Sequence, residues 1–179
     1  FYSKWLDDTM TYSSALFNSS SESLEKAQEN KYKNICKNIN PKPEDHILEI
    51  GCGWGGFMEY AIKHHNVKVT GLTISKAQHD FTKKRLFEAG LSERAKVVLT
   101  DYRNQKGQFD GIASIEMFEA VGEKYWPVYF NSLKNLMKNG AKSTLQIITI
   151  SDDLFPEYRK RVDFIQKYIF PGGMLPSKK

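Results

Sequence analysis

The stretch Ile47-Leu-Glu-Ile-Gly-Cys-Gly-Trp-Gly-Gly-Phe57 decides the fold of this chain. It opens as a short apolar run that suits a buried β-strand, breaks at four glycines, and continues as Phe57-Met-Glu-Tyr-Ala-Ile-Lys63, which predicts a helix. Glycines at a strand-to-helix turn let a ligand approach the backbone, because no Cβ stands in the way. Glu49 adds an acid at the end of the strand. The pattern predicts a site at this turn for a positively charged small molecule.

Length and composition describe an ordinary globular protein. The 179 residues are enough for one domain with a sizeable core, and no apolar run approaches the roughly 20 residues needed to span a bilayer. The net charge of +5 suits a solvated exterior, and no basic block with interleaved aromatics indicates nucleic-acid binding. Cys36 and Cys52 predict neither a disulfide framework nor a metal site, which favours a cytoplasmic location. Because the chain begins at Phe1 rather than Met, we expect a fragment of a longer protein.

Strands and helices are predicted to alternate along the chain, which indicates an α/β fold. The hydrophobic spacing predicts strands at 46–50, 67–72, 96–100, 109–115 and 142–150, and helices at 21–38, 57–65, 76–89, 126–138 and 155–168. Right-handed crossovers then give a Rossmann-like, mostly parallel sheet with helices on both faces. The glycine turn lies at the carboxyl edge of this sheet, where open α/β sheets bind their ligands.

Two cofactor classes compete for the glycine turn. Gly51-Cys-Gly-Trp-Gly-Gly56 matches the dinucleotide-binding pattern G-x-G-x-x-G. A dinucleotide also needs an acid at the end of the second strand for its ribose hydroxyls, but that strand ends Gly71-Leu-Thr73. S-adenosylmethionine carries a sulfonium and an ammonium group and no phosphate, so the acids Glu49 and Asp101 suit it better. The spacing favours S-adenosylmethionine and leaves a dinucleotide-dependent oxidoreductase as the alternative enzyme class.

A series of motifs in a fixed order gives the chain a specific resemblance. The motifs are Tyr12-Ser13, Leu48-Glu-Ile-Gly-Cys-Gly-Trp-Gly-Gly56, Thr73-Ile-Ser-Lys-Ala-Gln78, Gln108-Phe-Asp-Gly-Ile112, Met117-Phe-Glu-Ala-Val-Gly122 and Tyr168-Ile-Phe-Pro-Gly-Gly-Met-Leu-Pro-Ser177. With them the chain resembles the cyclopropane-fatty-acyl-phospholipid synthase and mycolic acid cyclopropane synthase family. The resemblance covers essentially the whole chain. It implies a class I adenosylmethionine-dependent methyltransferase fold without its final strands. An N-terminal lid and helix at 1–40 would precede the methyltransferase domain at 41–179, the two folding as a single domain.

The resemblance also implies which residues surround the cofactor. In the family these are a Tyr-Ser pair, the glycine turn, a Thr-x-Ser-x-x-Gln segment and the loop after the third strand. The corresponding positions here are Tyr12, Ser13, Glu49, Gly51, Cys52, Gly53, Trp54, Gly55, Gly56, Thr73, Ile74, Ser75, Gln78, Asp101, Tyr102 and Arg103. Hydroxyl and amide side chains among them can hydrogen-bond a ribose, and a carboxylate can accept from an adenine amino group. Thr73 and Ser75 are also expected to cap the following helix.

The reaction that the resemblance implies is methyl transfer to the double bond of an unsaturated phospholipid acyl chain. An alkene is a poor nucleophile, so the protein must align it on the sulfonium methyl and exclude water from the resulting cation. In the family a bound bicarbonate then removes a proton, and a Cys, a Glu, a His and a Tyr hold that anion. Here Glu119 matches the Glu, Ser14 stands at the Cys position and Ile148 at the His position. We therefore predict Glu119 and Ser14 as catalytic residues.

The departures from the family pattern leave the product open. The side chain of Ile148 cannot donate a hydrogen bond, so the bicarbonate site of the family is weakened here. Either a repositioned base closes a cyclopropane ring, or the cation loses its proton elsewhere and leaves a methylated or methylenated chain. A non-catalytic or inactive module is the alternative outside enzymes, because an incomplete sheet edge removes part of the pocket wall.

The last segment of the chain predicts a lipid partner. The predicted helix 155–168 combines an apolar face with basic side chains, and Phe164, Tyr168 and Phe170 are expected to line the acyl pocket. A basic surface beside them would attract anionic phospholipid headgroups and hold the protein peripherally at the inner membrane face. The sequence leaves the oligomeric state open.

Overall fold

In the computed structural model, which describes Lys4 and residues 6–179, five parallel strands form one sheet in the order β3-β2-β1-β4-β5. The strands are β1 (His46–Ile50), β2 (Lys68–Thr73), β3 (Ala95–Leu99), β4 (Phe109–Ile115) and β5 (Met137–Gln146). The helices are α1 (Leu24–Ile39), α2 (Gly56–His65), α3 (Lys76–Glu88), α4 (Trp126–Leu136) and the short α5 (Phe155–Tyr158). The strand order reverses between β1 and β4, which puts the switch point of the sheet beside the glycine turn.

The helices cover both faces of the sheet, as predicted. Side chains of α1, α2 and α3 form one core cluster, and α4 packs into a second cluster on the opposite face. Strand β1 contributes side chains to both clusters, because its side chains point to both faces of the sheet: Ile47 packs in the first cluster, and Leu48 and Ile50 pack in the second. The predicted Rossmann-like α/β fold, a parallel sheet with helices on both faces, is thus confirmed. No helix in the described part of the chain combines the length and apolar character needed to cross a membrane.

Helix α1 belongs to the same core as the sheet. Ser23 caps its N-terminus by accepting from the amide of Lys26, and Asn40 ends it in the left-handed conformation. Its inner face includes Ile39, which packs against the backbone of β4 at Gly111. Residues 6–17 form no helix or strand, as expected of a lid or arm. Phe1–Ser3 and Trp5, which also belong to that predicted lid, lie outside the described residues.

The predicted boundary between the fourth helix and the fifth strand is wrong. The helix ends at Leu136 rather than at Lys138, and Met137 already pairs with Phe109 of β4. Asn139-Gly140 was expected to end the helix, but it lies inside a bulge after which pairing resumes between Lys142 and Gly111. Gly140 has φ +81°, which a bulge of this kind requires and which glycine adopts without strain.

The prediction of one amphipathic helix over residues 155–168 is also wrong, because this segment forms two short helical pieces. After α5 the helix stops, and a separate π-helical turn covers Ile165–Ile169. Asp163 starts this second piece: its carboxylate accepts from the Gln166 amide at 2.7 Å, and the Gln166 side chain accepts from the Asp163 amide at 3.1 Å. This reciprocal pair is a capping box, which begins a new helix rather than continuing an old one. The predicted loop or turn at 117–124 contains two short 3-10 turns.

Gly111 tests the close packing of α1 on the sheet. A Cβ at this position would lie 2.5 Å from Cγ2 of Ile39 and 3.0 Å from Cδ1 of Ile47. We expect Gly111→Ala to lower the free energy of unfolding in urea by about 1–3 kcal/mol through overpacking. The same substitution in an Ile39→Ala background should cost clearly less, because the nearest methyl group is gone. Equal costs in both backgrounds would contradict this packing.

Candidate functional site

A cavity of about 470 Å³ opens at the carboxyl ends of the central strands. A narrow cleft beside it runs under the glycine turn to the buried end of β1. The predicted cofactor residues that line the cavity are Tyr12, Gly51, Gly53, Thr73, Ile74, Gln78, Asp101, Tyr102 and Arg103. Those that line the cleft are Tyr12, Ser13, Glu49, Gly51, Cys52, Gly53, Trp54 and Gly56. Among the predicted cofactor residues, Gly55 and Ser75 line neither space.

The glycine turn uses several of its own amides. The N–H groups of Gly51 and Cys52 donate to the carbonyl oxygen of Leu72 at 3.0 and 2.8 Å, and that of Gly55 donates to Cys52. Gly51 has φ +83°, and a Cβ there would collide with Met117. The amides of Gly51 and Cys52 therefore hold the end of β1 against β2, and the amide of Gly55 closes the turn on itself, so these three donors are not available to a pyrophosphate.

Glu49 ends β1 as a buried carboxylate. Its side chain is 3% exposed, and Oε2 has no hydrogen-bond partner among the described residues. Burial raises the pKa of Glu49 to about 8, although the positive charges of Lys31 and Arg85 act in the opposite direction. A cation bound in the cleft would favour the ionised carboxylate, so this group is suited to a positively charged ligand.

The segment after β2 caps helix α3 and also forms one side of the cavity. Ser75 caps α3 by accepting from the Gln78 amide, so its expected capping role is confirmed. The hydroxyl of Thr73 donates to Oε1 of Gln78 at 2.8 Å, which leaves the Gln78 amide nitrogen facing the cavity as a donor. Ile74 is 79% exposed and forms an apolar rim. This edge offers a polar donor beside an apolar surface, as an adenosine group needs.

Asp101 is already engaged by Arg103. Its carboxylate accepts from the Arg103 side chain at 2.8 and 2.6 Å and from the Arg103 amide at 2.9 Å. The guanidinium of Arg103 holds the pKa of Asp101 below its usual range. Asp101 therefore reaches the cavity as one half of an ion pair, and a ligand that hydrogen-bonds it competes with Arg103.

The Tyr12-Ser13-Ser14 segment lies across the mouth of the site. Tyr12 borders both the cavity and the cleft, and the Ser13 hydroxyl accepts from the ammonium of Lys31 at 2.6 Å. Ser14 instead borders a second cavity of about 360 Å³, and its amide donates to the carboxylate of Glu116 at 2.9 Å. The predicted catalytic Ser14 thus contributes a backbone donor to its surroundings.

Glu119 lies behind the wall of the large cavity. Its Oε1 accepts a hydrogen bond from the backbone amide of Ile148, and its buried Oε2 has no partner among the described residues. Burial raises the pKa of Glu119. The next residue, Ala120, lines the cavity, whereas Glu119 itself lines none of the described cavities.

The three predicted acyl-pocket residues lie on the surface. Phe164, Tyr168 and Phe170 are 66%, 62% and 53% exposed. The large cavity is lined instead by Pro171 and Gly172, which directly follow them.

Sequence analysis missed three residues that build this site: Lys31, Arg85 and Glu116. Glu116 follows β4 directly and could have been found, because the carboxyl ends of parallel strands meet at the ligand site. Lys31 lies in the middle of α1 and Arg85 in the last turn of α3, where charged residues are normally solvated, so no local signal marks them. Lys31 is 2% exposed, and burial lowers its pKa to about 8.

Arg85 joins the lid to the glycine turn. One guanidinium nitrogen donates to the carbonyl oxygens of Thr9 at 2.6 Å and Trp54 at 3.3 Å. Another nitrogen donates to the carboxylate of Glu59 on α2, which fixes the guanidinium in place. Helix α3 thereby holds the N-terminal segment over the cleft.

Comparison with known proteins decides the family. The family profile described as Mycolic acid cyclopropane synthetase matches residues 1–179. This chain belongs to that family. The predicted resemblance is therefore confirmed over the whole chain.

The curated relatives of the chain carry names of different activities. The chain is 40% identical over 178 residues to the cyclopropane-fatty-acyl-phospholipid synthase of Escherichia coli strain K12, covering 98% of the chain and 44% of that protein. It is 36% identical over 183 residues to the tuberculostearic acid methyltransferase UfaA1 of Mycobacterium tuberculosis, covering 98% of the chain and 43% of that protein. The chain thus spans less than half the length of these curated relatives.

A solved structure matches the fold closely. The mycolic acid cyclopropane synthase CmaA1, complexed with SAH and CTAB, superposes with a TM-score of 0.88 at 29% sequence identity. The match covers 98% of this chain and 65% of that one.

Removing the guanidinium of Arg85 tests its hold on the lid. We expect Arg85→Met to speed hydrogen exchange at the Met10 and Thr11 amides roughly tenfold or more, because charged hydrogen bonds of about 1.5–3 kcal/mol are lost. Arg94→Met is the matched control, since Arg94 pairs with Glu44 on the surface. Unchanged exchange in the Arg85 variant would show that other contacts hold the lid.

Proposed function

We propose that the protein carrying this chain transfers a methyl group from S-adenosylmethionine to the double bond of an unsaturated phospholipid acyl chain. The single observation that carries the proposal is the buried Glu49 carboxylate under the glycine turn, one oxygen of which has no partner in the described part of the chain and which lies beside a cleft and cavity of cofactor size. The family membership and the names of its relatives support the same reaction class.

The residues of the site fit this cofactor better than a dinucleotide. Glu49 would hold the cationic methionine end, while Thr73 and Gln78 would face the ribose. Asp101 with Arg103 would border the adenine. No acid ends β2, and the amides of Gly51 and Cys52 bond to the carbonyl oxygen of Leu72 on β2. S-adenosylmethionine, when bound, supplies an electrophilic methyl group.

The protein's own part in the reaction is positioning and exclusion of water. Tyr12 and Met117 border the cavity where the glycine turn opens, and the lid tied down by Arg85 covers the cleft. Both effects matter because an alkene attacks weakly and the resulting cation would react with water. Glu119 and Ser14 remain proposed catalytic residues, and bicarbonate remains a proposed second ligand at the Ser14 side of the site.

A second candidate product is a methyl-branched or methylene chain. It is favoured by Ile148, whose side chain offers no hydrogen bond, and by the relative named as a tuberculostearic acid methyltransferase. The two products share the methyl transfer step and differ only in which proton the cation loses.

An anionic membrane surface is the proposed source of the substrate. Val162, Phe164 and Tyr168 are exposed beside the basic side chains of Lys160 and Lys167. Arg159 is paired with Glu123 and Lys160 with Glu157, whereas the ammonium of Lys167 lies over the ring of Tyr168. A peripheral position at the inner, cytoplasmic face of a membrane stays a prediction, and salt-sensitive co-sedimentation with anionic vesicles would support it.

Methyl transfer is tested with the complete natural protein and vesicles. With S-adenosylmethionine labelled in its methyl group, we expect label in the acyl chains of unsaturated phospholipid and none with saturated phospholipid. Mass and proton spectra of the released fatty acids then distinguish a cyclopropane from a branched olefin. Label in the headgroups, or equal transfer to saturated lipid, would contradict the proposal.

Proton release on binding tests the role of Glu49. Because burial raises its pKa to about 8, Glu49 is mostly protonated at pH 7 in the free protein. A cationic ligand favours the carboxylate, so S-adenosylmethionine binding should release up to one proton, and affinity should rise with pH until about pH 8. Calorimetry in two buffers of different ionisation enthalpy measures the release.

Two matched variants distinguish proton release by Glu49 from proton release by other groups of the protein. Glu49→Gln should bind more weakly and lose the buffer dependence, while Glu88→Gln on the exposed side of α3 should retain it. A buffer-independent heat of binding in the unchanged protein would contradict the assignment.

A further inference from the structure

Glu116 holds an unusual backbone conformation at the carboxyl end of β4. It has φ +48°, in the left-handed region that residues with a side chain seldom adopt. Its amide donates to the carbonyl oxygen of Gln146 at 2.8 Å, which fixes the backbone against the end of β5. Strained conformations of this kind persist where the surrounding structure holds them, and they cluster at functional sites.

Two hydrogen-bond donors orient the side chain of Glu116, and both bond to the same oxygen. Oε1 accepts from the Ser14 amide at 2.9 Å and from Nε2 of Gln146 at 2.9 Å. No hydrogen bond of the described residues falls on Oε2. The carboxylate is therefore oriented through one oxygen and has the other available for a ligand or a proton.

Glu116 stands where the three spaces of the site meet. It lines the large cavity, the narrow cleft beneath the glycine turn, and the second cavity of about 360 Å³. Lys31 and Asn34 of α1 line that second cavity, and the charge of Lys31 is close enough to interact with Glu116. One carboxylate thus borders both the space proposed for the reacting groups and a separate polar space through which a proton can leave.

Glu119, the carboxylate expected from the sequence, is placed differently. Its Oε1 is bonded to the Ile148 amide, and it lines none of the described cavities. Its own carbonyl oxygen accepts from the Met174 amide at 2.8 Å, so it anchors the C-terminal segment. Between the two acids, Glu116 has the access that proton transfer requires.

We propose that Glu116 is the base that takes the proton in the methyl transfer reaction, an inference that rests on the proposed function. The alkene forms a carbon–carbon bond to the methyl group, whose bond to sulfur breaks with its electron pair left on sulfur. The other alkene carbon is then a cation. Glu116 removes a proton either from the added methyl, whose C–H electrons close a cyclopropane, or from the neighbouring chain carbon, whose C–H electrons form a new double bond. The proton then passes to solvent through the second cavity.

The experiment uses the complete natural protein. It removes the carboxylate of Glu116 and adds a small free anion, formate or bicarbonate, that can take its place. Glu116→Gly suits the test because glycine adopts φ +48° without strain, so the variant should fold at least as well. The Ser14 amide and the Gln146 side chain then face a space of carboxylate size. Glu116→Gln keeps the shape without the basic oxygen. Glu119→Gly is the matched control.

We expect both Glu116 variants to bind S-adenosylmethionine within about threefold of the unchanged protein and to lose about 100-fold or more in product formation in bicarbonate-free buffer, as for loss of a general base. Formate or bicarbonate should restore product formation in Glu116→Gly with saturation, and should fail to restore Glu116→Gln or Glu119→Gly. Binding of ¹³C-formate, followed by NMR, should appear in Glu116→Gly and be absent in Glu116→Gln.

Two results would overturn the proposal. One is product formation in Glu116→Gln within tenfold of the unchanged protein. The other is a Glu116→Gly variant that is folded and binds the cofactor but neither binds formate nor recovers with it. Failure of the proposed function looks different, because the unchanged protein would then bind the cofactor and transfer no methyl to lipid. In that case the formate-binding measurement still shows whether a small carboxylate binds in the space left by the Glu116 side chain.

Discussion

The structure depends on one buried carboxylate at the end of its central strand. Glu49 has apolar strands on either side and the glycine turn above it, and the charges of two basic residues from different helices offset only part of the effect of its burial. Lys31 arrives from α1 and Arg85 from α3, and both also hold parts of the lid. Burying an acid costs stability unless a cation pairs with it, so the position of Glu49 supports the proposed binding of a cationic ligand.

This arrangement explains why the N-terminal segment is part of the site. Lys31 bonds the Ser13 hydroxyl, and Arg85 bonds the Thr9 carbonyl, so the same two cations that face Glu49 fix the strip of chain above it. The hydroxyls of Thr11 and Tyr32 are 2.7 Å apart and close the strip against α1. The lid, α1 and the sheet therefore share one core, and the division of the chain at residue 40 remains a prediction about its two parts.

Sequence reasoning succeeded where the signal was local. The bounds of β1 and β4 were predicted to the residue, because each is an apolar run ended by the glycine turn or by a polar loop. The end of α4 was misplaced because Asn139-Gly140, a strong turn signal, is used in a bulge. The last helix was joined across Asp163 because its apolar spacing continues, although the Asp163–Gln166 capping box was present in the sequence. The first error comes from tertiary context that overrides a local turn signal, and the second from a local helix-start signal that the continuing apolar spacing outweighed.

For the site as well, residues in local motifs were predicted, and residues that act through distant partners were missed. The glycine turn and the segment after β2 were predicted as lining residues, and the structure brings most of them to the cavity or to the narrow cleft beside it. Glu116, Lys31 and Arg85 act across long separations in sequence, and their partners are known only once the sheet is assembled. Expectations carried over from the family also centred attention on Glu119, whose carboxylate lies behind the cavity wall.

A crystal structure of the complete protein with S-adenosylhomocysteine bound tests the central claim most directly. The account predicts that the amino acid end of the ligand lies in the cleft beside Glu49, reached directly or through one water, with the ribose beside Thr73 and Gln78. Ligand density outside this cleft, or a bound ligand that leaves the Glu49 carboxylate without any contact to it, would contradict the account.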